Sequence, residues 1–323
     1  MQSLYPIVFS RSMVCCCQYN KKPELCYFFG IISFMEKRDL FIERLKKTYP
    51  DNWESVVSAI SRSRNPTFRV QHGSEIDLSF PKSVRSGPFV NSYYLDDISE
   101  LEQLKSLPVY FQGLASMIPV LVADPTSGES VLDLCAAPGS KSSLYLTLSI
   151  DKSHITCVDN NVARIHALDA NIRSQGLSNF ETIRTDASKI QFNPIFFEKY
   201  DKVLADVPCS NEGNIRLNDP KSYANWNPKL AKKINMLQKR ILASGVKALK
   251  PGGRLVYSTC TYSVEENEEV IAWGLKHFPE ISLEPIKLNI ENKIPGFLGL
   301  TDCARILPTD LFDGFFVVSL LKS

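Results

Sequence analysis

Two cysteines occupy matching places in the chain. Asp206-Val207-Pro208-Cys209 and Ser258-Thr259-Cys260-Thr261 each close a short apolar run, DKVLAD (201–206) and RLVYST (254–259). Either cysteine alone reads as a small buried hydrophobe. Two at the ends of neighbouring strands would open into one crevice, where thiols beside a carboxylate can do chemistry. Pro208 removes an amide proton and stiffens the chain where Cys209 is presented. A thiolate adding to carbon 6 of a cytosine turns carbon 5 into a nucleophile toward a methyl sulfonium. A carboxylic acid at ring nitrogen 3 favours that addition, and Asp206 is the candidate. This is covalent catalysis, which splits one hard step into easier ones. A free thiol is largely un-ionised at neutral pH, so its surroundings must assist.

The methyl donor has its own signals. VLDLCAAPGSKSS (131–143) reads as a strand, a tight turn and a helix start. Gly139 lets backbone approach a ligand, Pro138 stiffens the turn, and helix-start amides favour a carboxylate or phosphate. The run HITCVD ends at Asp159, twenty residues past Gly139. A carboxylate there commonly accepts both ribose hydroxyls of an adenosine cofactor. The loop is not G-x-G-x-x-G, so a diphosphate is a poor fit; S-adenosylmethionine has none. Asp186 follows the third run and Asp206 closes the fourth. Each aspartate alone reads equally well as a helix cap. Together with the glycine turn they point to a nucleoside cofactor. Cys157 reads as core, and Cys135 as a backbone contact to the cofactor.

The elements that must hold these residues follow from periodicity. SVLDL (130–134), HITCVD (154–159), FETIR (180–184), DKVLAD and RLVYST are short apolar runs, with helical stretches at 140–149, 161–175 and 228–250. Alternating strands and helices with near-continuous apolar strands predict an α/β fold, a parallel sheet covered on both faces. GFFVVSLL (314–321) adds a last strand. The catalytic domain is placed at 109–323. A smaller mixed unit at 35–108 precedes it, opening with an amphipathic helix that turns Leu40, Phe41, Leu45 and Tyr49 to one side. Residues 1–34 are atypical, with one acid (Glu24) and four of the nine cysteines. Two readings stay open: translation starting at Met35, or an organelle-targeting leader.

At this point the residues carry a resemblance. DLCAAPGSKS, DVPCS and YSTCTYSVEENE, in that order and spacing, resemble the Nop/Sun (NSUN-type) RNA cytosine-5 methyltransferases. YFQGLASMIPVLVADPTSGESVLDLCAAPG, NEGNIR and RILPTDLFDGFFVVSLLK extend the likeness over about residues 60–323. The resemblance implies a Rossmann-like methyltransferase fold, with a seven-stranded sheet whose last strand is reversed, and a small RRM-like N-terminal subdomain. It implies Cys260 as nucleophile and Cys209 as an aid to product release. Cys135, Ala136, Ala137, Pro138, Gly139, Ser140 and Lys141, with Asp159, Asp186 and Asp206, would line S-adenosylmethionine. Lys141 would sit beside the methionine end or Asp206, unless it is a solvated helix-start lysine. The family commonly has Gly where this chain has Ser140, which fits only if that position is not left-handed. It also commonly has Gly at Asn211.

An RNA substrate should leave a basic footprint. Between Asn214 and Arg254 there are ten Lys/Arg and one acid, Asp219. On the helix 228–250, Leu230, Ile234, Leu237, Ile241 and Leu249 are expected inward. Lys232, Lys233, Lys239 and Arg240 lie outward, as phosphate contacts or as an ordinary solvated face. Arg216 joins this set. Arg62, Arg64 and Arg69 suggest a second contact on the small unit. Tyr223 and Trp226 would stack a base or pack in the core.

Composition narrows the alternatives. Thirty-seven Lys+Arg against 35 Asp+Glu leave a net charge of +2, so nucleic acid is not gripped everywhere. Scattered cysteines show neither a disulfide framework nor a metal pattern, which predicts a reducing, cytoplasmic setting and no metal. The uncharged stretch Leu25–Met35 is too short to span a membrane. A monomer is expected. A DNA cytosine-5 methyltransferase would not need Cys260, and an amino-group methyltransferase would show (D/N)PP(Y/F) at DVPC. A non-catalytic RNA-binding assembly factor on this fold is the remaining rival, with the retained Cys209, Cys260 and Lys141 against it.

Overall fold

The computed structural model describes residues 23–76 and 81–323, residues 23–34 by backbone alone. The expectation for residues 1–34 therefore lies largely outside the described residues. What is described of that segment belongs to a helix, Pro23–Thr48, that runs through Met35 without a break. Phe41 and Leu45 on it and Tyr49 just after it are buried, but Leu40 is half exposed, a correction to its expected inward place. Phe41 packs edge-on against Trp226, with ring centroids 5.1 Å apart.

Four short strands, β1 (Thr67–Val70), β2 (Val84–Ser86), β3 (Tyr93–Leu95) and β4 (Val109–Phe111), form an antiparallel sheet in the order β2-β3-β1-β4. The small sheet thus runs on to Phe111. Arg69 in β1 is wholly buried. Its guanidinium donates to Gln112 Oε1 at 3.0 Å, Ser143 Oγ at 2.7 Å and Gln175 Oε1 at 2.7 Å. It also lies 4.6 Å from the Tyr110 ring centroid. Arg69 therefore fastens the small sheet to the larger unit and cannot reach RNA, which corrects its expected role.

The large sheet is built from β5 (Ser130–Asp133), β6 (His154–Asp159), β7 (Phe180–Arg184), β8 (Tyr200–Asp206), β9 (Leu249–Thr259), β10 (Ile281–Glu284), β11 (Lys293–Pro295), β12 (Ala304–Ile306) and β13 (Phe315–Lys322). Its order is β11-β12-β13-β9-β8-β5-β6-β7, with β10 also on β13. β5 to β9 are parallel and β13 is reversed against β9. β12 and β10 lie end to end along the far side of β13. Seven lanes result, and β11 adds a short edge outside them. The strands β10 to β12 carry no apolar run and were not legible in the sequence.

Alternate residues of each strand face different cores. Val131, Leu204, Val256 and Val317 join one cluster, and Leu132, Val203, Leu255 and Phe316 the other. Side chains alternate across a strand, so burial on both faces demands a continuous apolar run. The chain leaves β5 toward β6 and β7, then crosses back to β8 and β9. At such a switch point the carboxyl ends of adjacent strands open a crevice. No described helix is long and apolar enough to cross a membrane.

Candidate active site

That crevice holds a cavity of about 310 Å³, lined among others by Cys135, Ala137, Asp159, Asp186, Asp206, Pro208, Cys209, Asn211 and Cys260. Gly139 closes the turn before it at φ +99°, a left-handed position, and an added Cβ would meet Ile172 at 3.1 Å. Ser140 is the first residue of the helix Ser140–Leu148, so the left-handed position is Gly139 alone. Serine is tolerated there for that reason. Ala136, Pro138, Gly139, Ser140 and Lys141 shape this wall from behind without lining the cavity.

Lys141 is buried and reaches across to β8. Its Nζ lies 2.6 Å from Asp206 Oδ2 and donates to Ser116 Oγ at 2.8 Å. The other Asp206 oxygen accepts from Ser258 Oγ at 2.7 Å. Lys141 is thus not a solvated helix-start lysine. Asp159 accepts from the Asn161 amide at 2.9 Å and pairs with Arg164 at 3.2 Å. Asp186 accepts from the amide and hydroxyl of Ser188, at 3.0 and 2.7 Å. It caps the turn that follows and also lines the cavity. Cys157 is buried core; Cys135 stands on the cavity wall, and burial pushes its thiol up.

The two strand-end cysteines meet. Cys209 Sγ and Cys260 Sγ are 3.0 Å apart, and Cys260 Sγ donates to Asn211 Oδ1 at 2.9 Å. The Cys209 thiol is pushed well up by its hydrogen bond with Cys260, then by burial and by the charges of Cys260 and Glu266. Asn211 has φ +62°, which suits the residue common there in the resembling family, glycine, and which asparagine also tolerates. Gly213 beside it donates to Cys260 O at 2.9 Å, and a Cβ there would collide with Gly314 O.

Sequence reasoning missed several of these residues. Asp133, under the cavity, accepts from Ser142 Oγ at 2.7 Å, and burial pushes its carboxyl up to about 6. Arg164, Asn160 and Leu237 line the cavity. Asp133 and Asn211 both sat inside or beside quoted motifs, and that adjacency was the available signal. Arg164 and Leu237 come from helix faces whose direction only packing sets.

The basic residues divide. Lys232, Lys233 and Arg240 are exposed on the helix Leu230–Ala248, and Lys239 lies over the Trp273 ring at 6.0 Å. Ile241 is buried there, Leu230 and Ile234 are half-buried, and Leu237 is 37% exposed at the cavity. Leu249 belongs to β9 instead of the helix. Arg62 is exposed and pairs with Asp310 at 3.2 Å. Arg64 and Arg216 share the carboxylate of Asp313. Tyr223 and Trp226 are buried, so both are core residues.

Comparison with known proteins places the chain in a family. Residues 120–321 match the family model described as 16S rRNA methyltransferase RsmB/F. The chain is 36% identical over 187 residues to mouse tRNA (cytosine(72)-C(5))-methyltransferase NSUN6, covering 55% of this chain and 38% of that protein. It is 35% identical over 226 residues to ribosomal RNA small subunit methyltransferase F of Cronobacter sakazakii, covering 66% and 45%. A crystal structure of a methyltransferase homolog protein from Pyrococcus horikoshii superposes with a TM-score of 0.73 at 25% identity, covering 98% of this chain and all of that one. The chain spans less than half the length of the two curated relatives. Matched over most of its length by that model, the chain belongs to the RsmB/F family of ribosomal RNA methyltransferases.

Proposed function

We propose that the chain methylates carbon 5 of a cytosine in RNA, ribosomal or transfer, using S-adenosylmethionine. The observation that carries the reading is the pair of thiols 3.0 Å apart on a cavity that also presents Asp159, Asp186 and Asp206. An acidic wall of that kind repels a diphosphate and suits a cationic nucleoside, so the donor set fits this cofactor. Cys135, Asp159 and Asp186 would hold it, and when bound it supplies an electrophilic methyl group.

The remaining chemistry belongs to the side chains. Cys260, its thiol proton passed to solvent water, adds its sulfur to ring carbon 6, which makes carbon 5 nucleophilic. Asp206, paired with Lys141, faces ring nitrogen 3 and passes it a proton drawn from that lysine. After methylation the carbon 5 proton passes to solvent water, ring nitrogen 3 returns its proton to the Asp206–Lys141 pair, and the sulfur–carbon 6 bond breaks. Cys209, whose sulfur lies 3.0 Å away, donates a proton to the departing sulfur. Lys232, Lys233 and Arg240 bind phosphates beside the cavity. The target base must be unstacked, at a cost of a few kcal/mol unless the RNA is already open.

Two measurements test this. Bisulfite sequencing of total RNA with and without the gene should reveal one or a few cytosines that lose protection; an unchanged map would refute the activity. Cys260→Ala should abolish both methyl transfer and covalent capture of RNA, while Cys209→Ala should accumulate an RNA–protein adduct resistant to denaturant. Adduct in Cys260→Ala alone would mean that the two roles are exchanged.

A further inference from the structure

Behind the two sulfurs lies a buried carboxylate that no step above uses. Each cysteine is followed by a hydroxyl residue, Ser210 after Cys209 and Thr261 after Cys260. The two hydroxyls are 2.7 Å apart and hydrogen-bonded to one another. Both also turn to Glu266, which is wholly buried. Its Oε1 accepts from Ser210 Oγ and lies 3.4 Å from Thr261 Oγ1, whose single proton is shared among Ser210 Oγ, Glu266 Oε1 and, at 3.2 Å, Glu212 Oε2. Its Oε2 accepts from the Ser210 amide at 2.8 Å and from Gln238 Nε2 at 3.0 Å. Gln238 in turn donates to Pro208 O at 2.9 Å, one residue before Cys209. Among the described residues, neither oxygen is paired with a cation.

A carboxylate buried without a cation is costly unless its oxygens are satisfied by hydrogen bonds. Here every donor comes from the loop that presents one cysteine, from the loop that presents the other, or from the glutamine that holds the first. The donors are spread over both oxygens, so the carboxylate joins the two loops at the residue after each sulfur. The two loops leave adjacent strands and are also joined through their backbones, Val207 N–H to Ser258 O at 3.1 Å and Gly213 N–H to Cys260 O at 2.9 Å; Glu266 adds the tie between their side chains. We propose that Glu266 is a positioning residue, a clasp that sets the distance between the sulfurs of Cys209 and Cys260.

The proposal rests on the methyltransferase reading for its effect on turnover, but not for its effect on the thiols. Glu266→Gln keeps the shape and replaces one accepting oxygen by a donating amide, which opposes the donors already there. In the full chain, kcat for methyl transfer should fall by about a hundredfold, since displacing a reacting group by about 1 Å costs that much. KM for RNA should stay unchanged. The second readout needs no turnover: diamide takes two electrons and two protons from the Cys209–Cys260 pair, forming a disulfide, and peptide mapping gives its rate. That rate should fall by roughly tenfold in Glu266→Gln, because disulfide closure demands narrow geometry. Should that variant fail to fold, Ser210→Ala and Thr261→Val each remove one donor and should slow diamide closure to a lesser degree. Wild-type closure rates in a folded Glu266→Gln, or in both hydroxyl variants, would overturn the clasp. If the wild-type chain closes the disulfide rapidly and never methylates RNA, the methyltransferase reading fails while the clasp stands.

Discussion

Acid–base character at the site is decided side chain by side chain. Asp206 is held by a lysine and a hydroxyl, Asp159 by an arginine and an amide, Asp186 by a serine. Asp133 forms no ion pair among the described residues, and burial, only partly offset by Ser142 and Lys141, raises its carboxyl from 3.8 to about 6. A carboxyl raised on folding favours the protonated native state. Its stabilisation is complete below the ordinary value and is lost as pH rises through about 6. Between those limits the loss is at most about 3 kcal/mol, from roughly two pKa units. Urea unfolding at pH 4.5 and pH 7 should show that slope, and Asp133→Asn should flatten it. An identical slope in the variant would mean that another group titrates.

The helix Leu230–Ala248 shows what one element can combine. Ile241, Leu242 and Val246 are buried against the sheet, Gln238 holds the loop before Cys209, and Leu237 forms cavity wall. Lys232, Lys233 and Arg240 occupy its solvent side. Reversing two of those charges, Lys232→Glu with Lys233→Glu, should weaken RNA binding at low salt. It should also reduce the slope of log affinity against log salt by about 1.4, the share of two phosphate contacts on single-stranded RNA. Filter binding across a salt series measures both; an unchanged slope would leave this face merely solvated. The amphipathic period of this helix was plain in the sequence. Which of its apolar residues faced the core and which the cavity was not, because both are apolar surroundings along a single stripe.

Across the whole molecule, the small sheet and the catalytic sheet are joined by buried polar contacts as well as by packing. Arg69 links β1 to the helix Ser140–Leu148 and to Gln175. Arg305 in β12 pairs with Glu268 and donates to Tyr49 at the end of the first helix. Burial pulls the Arg69 guanidinium down to about 10, still charged at neutral pH. Arg69→Ala removes three hydrogen bonds from a charged group and should cost about 3 kcal/mol of unfolding free energy. The salt dependence of RNA binding should not change, whereas a phosphate contact would change it. A shallower salt slope in this variant would return Arg69 to the RNA-binding set.

The sequence by itself determined the parallel sheet, because a strand buried on both faces must be apolar at consecutive positions, and five such runs with helical patterns in three of their four gaps call for cover on both faces. It also determined which residues close β5, β6, β8 and β9, since strand ends are marked by the first polar residue after the run. The chemistry of those ends, two cysteines and their aspartates, was legible for that reason. Only the tertiary structure decided what meets across the crevice: that the thiols touch, that Lys141 answers Asp206, that Arg69 is interior, and that Glu266 ties both cysteine loops. Those contacts join residues far apart in the chain, and the same residue types would serve equally well as caps or solvated charges if the strands were ordered otherwise. Periodicity reports which face of an element is apolar; it carries no information on which polar partner waits opposite.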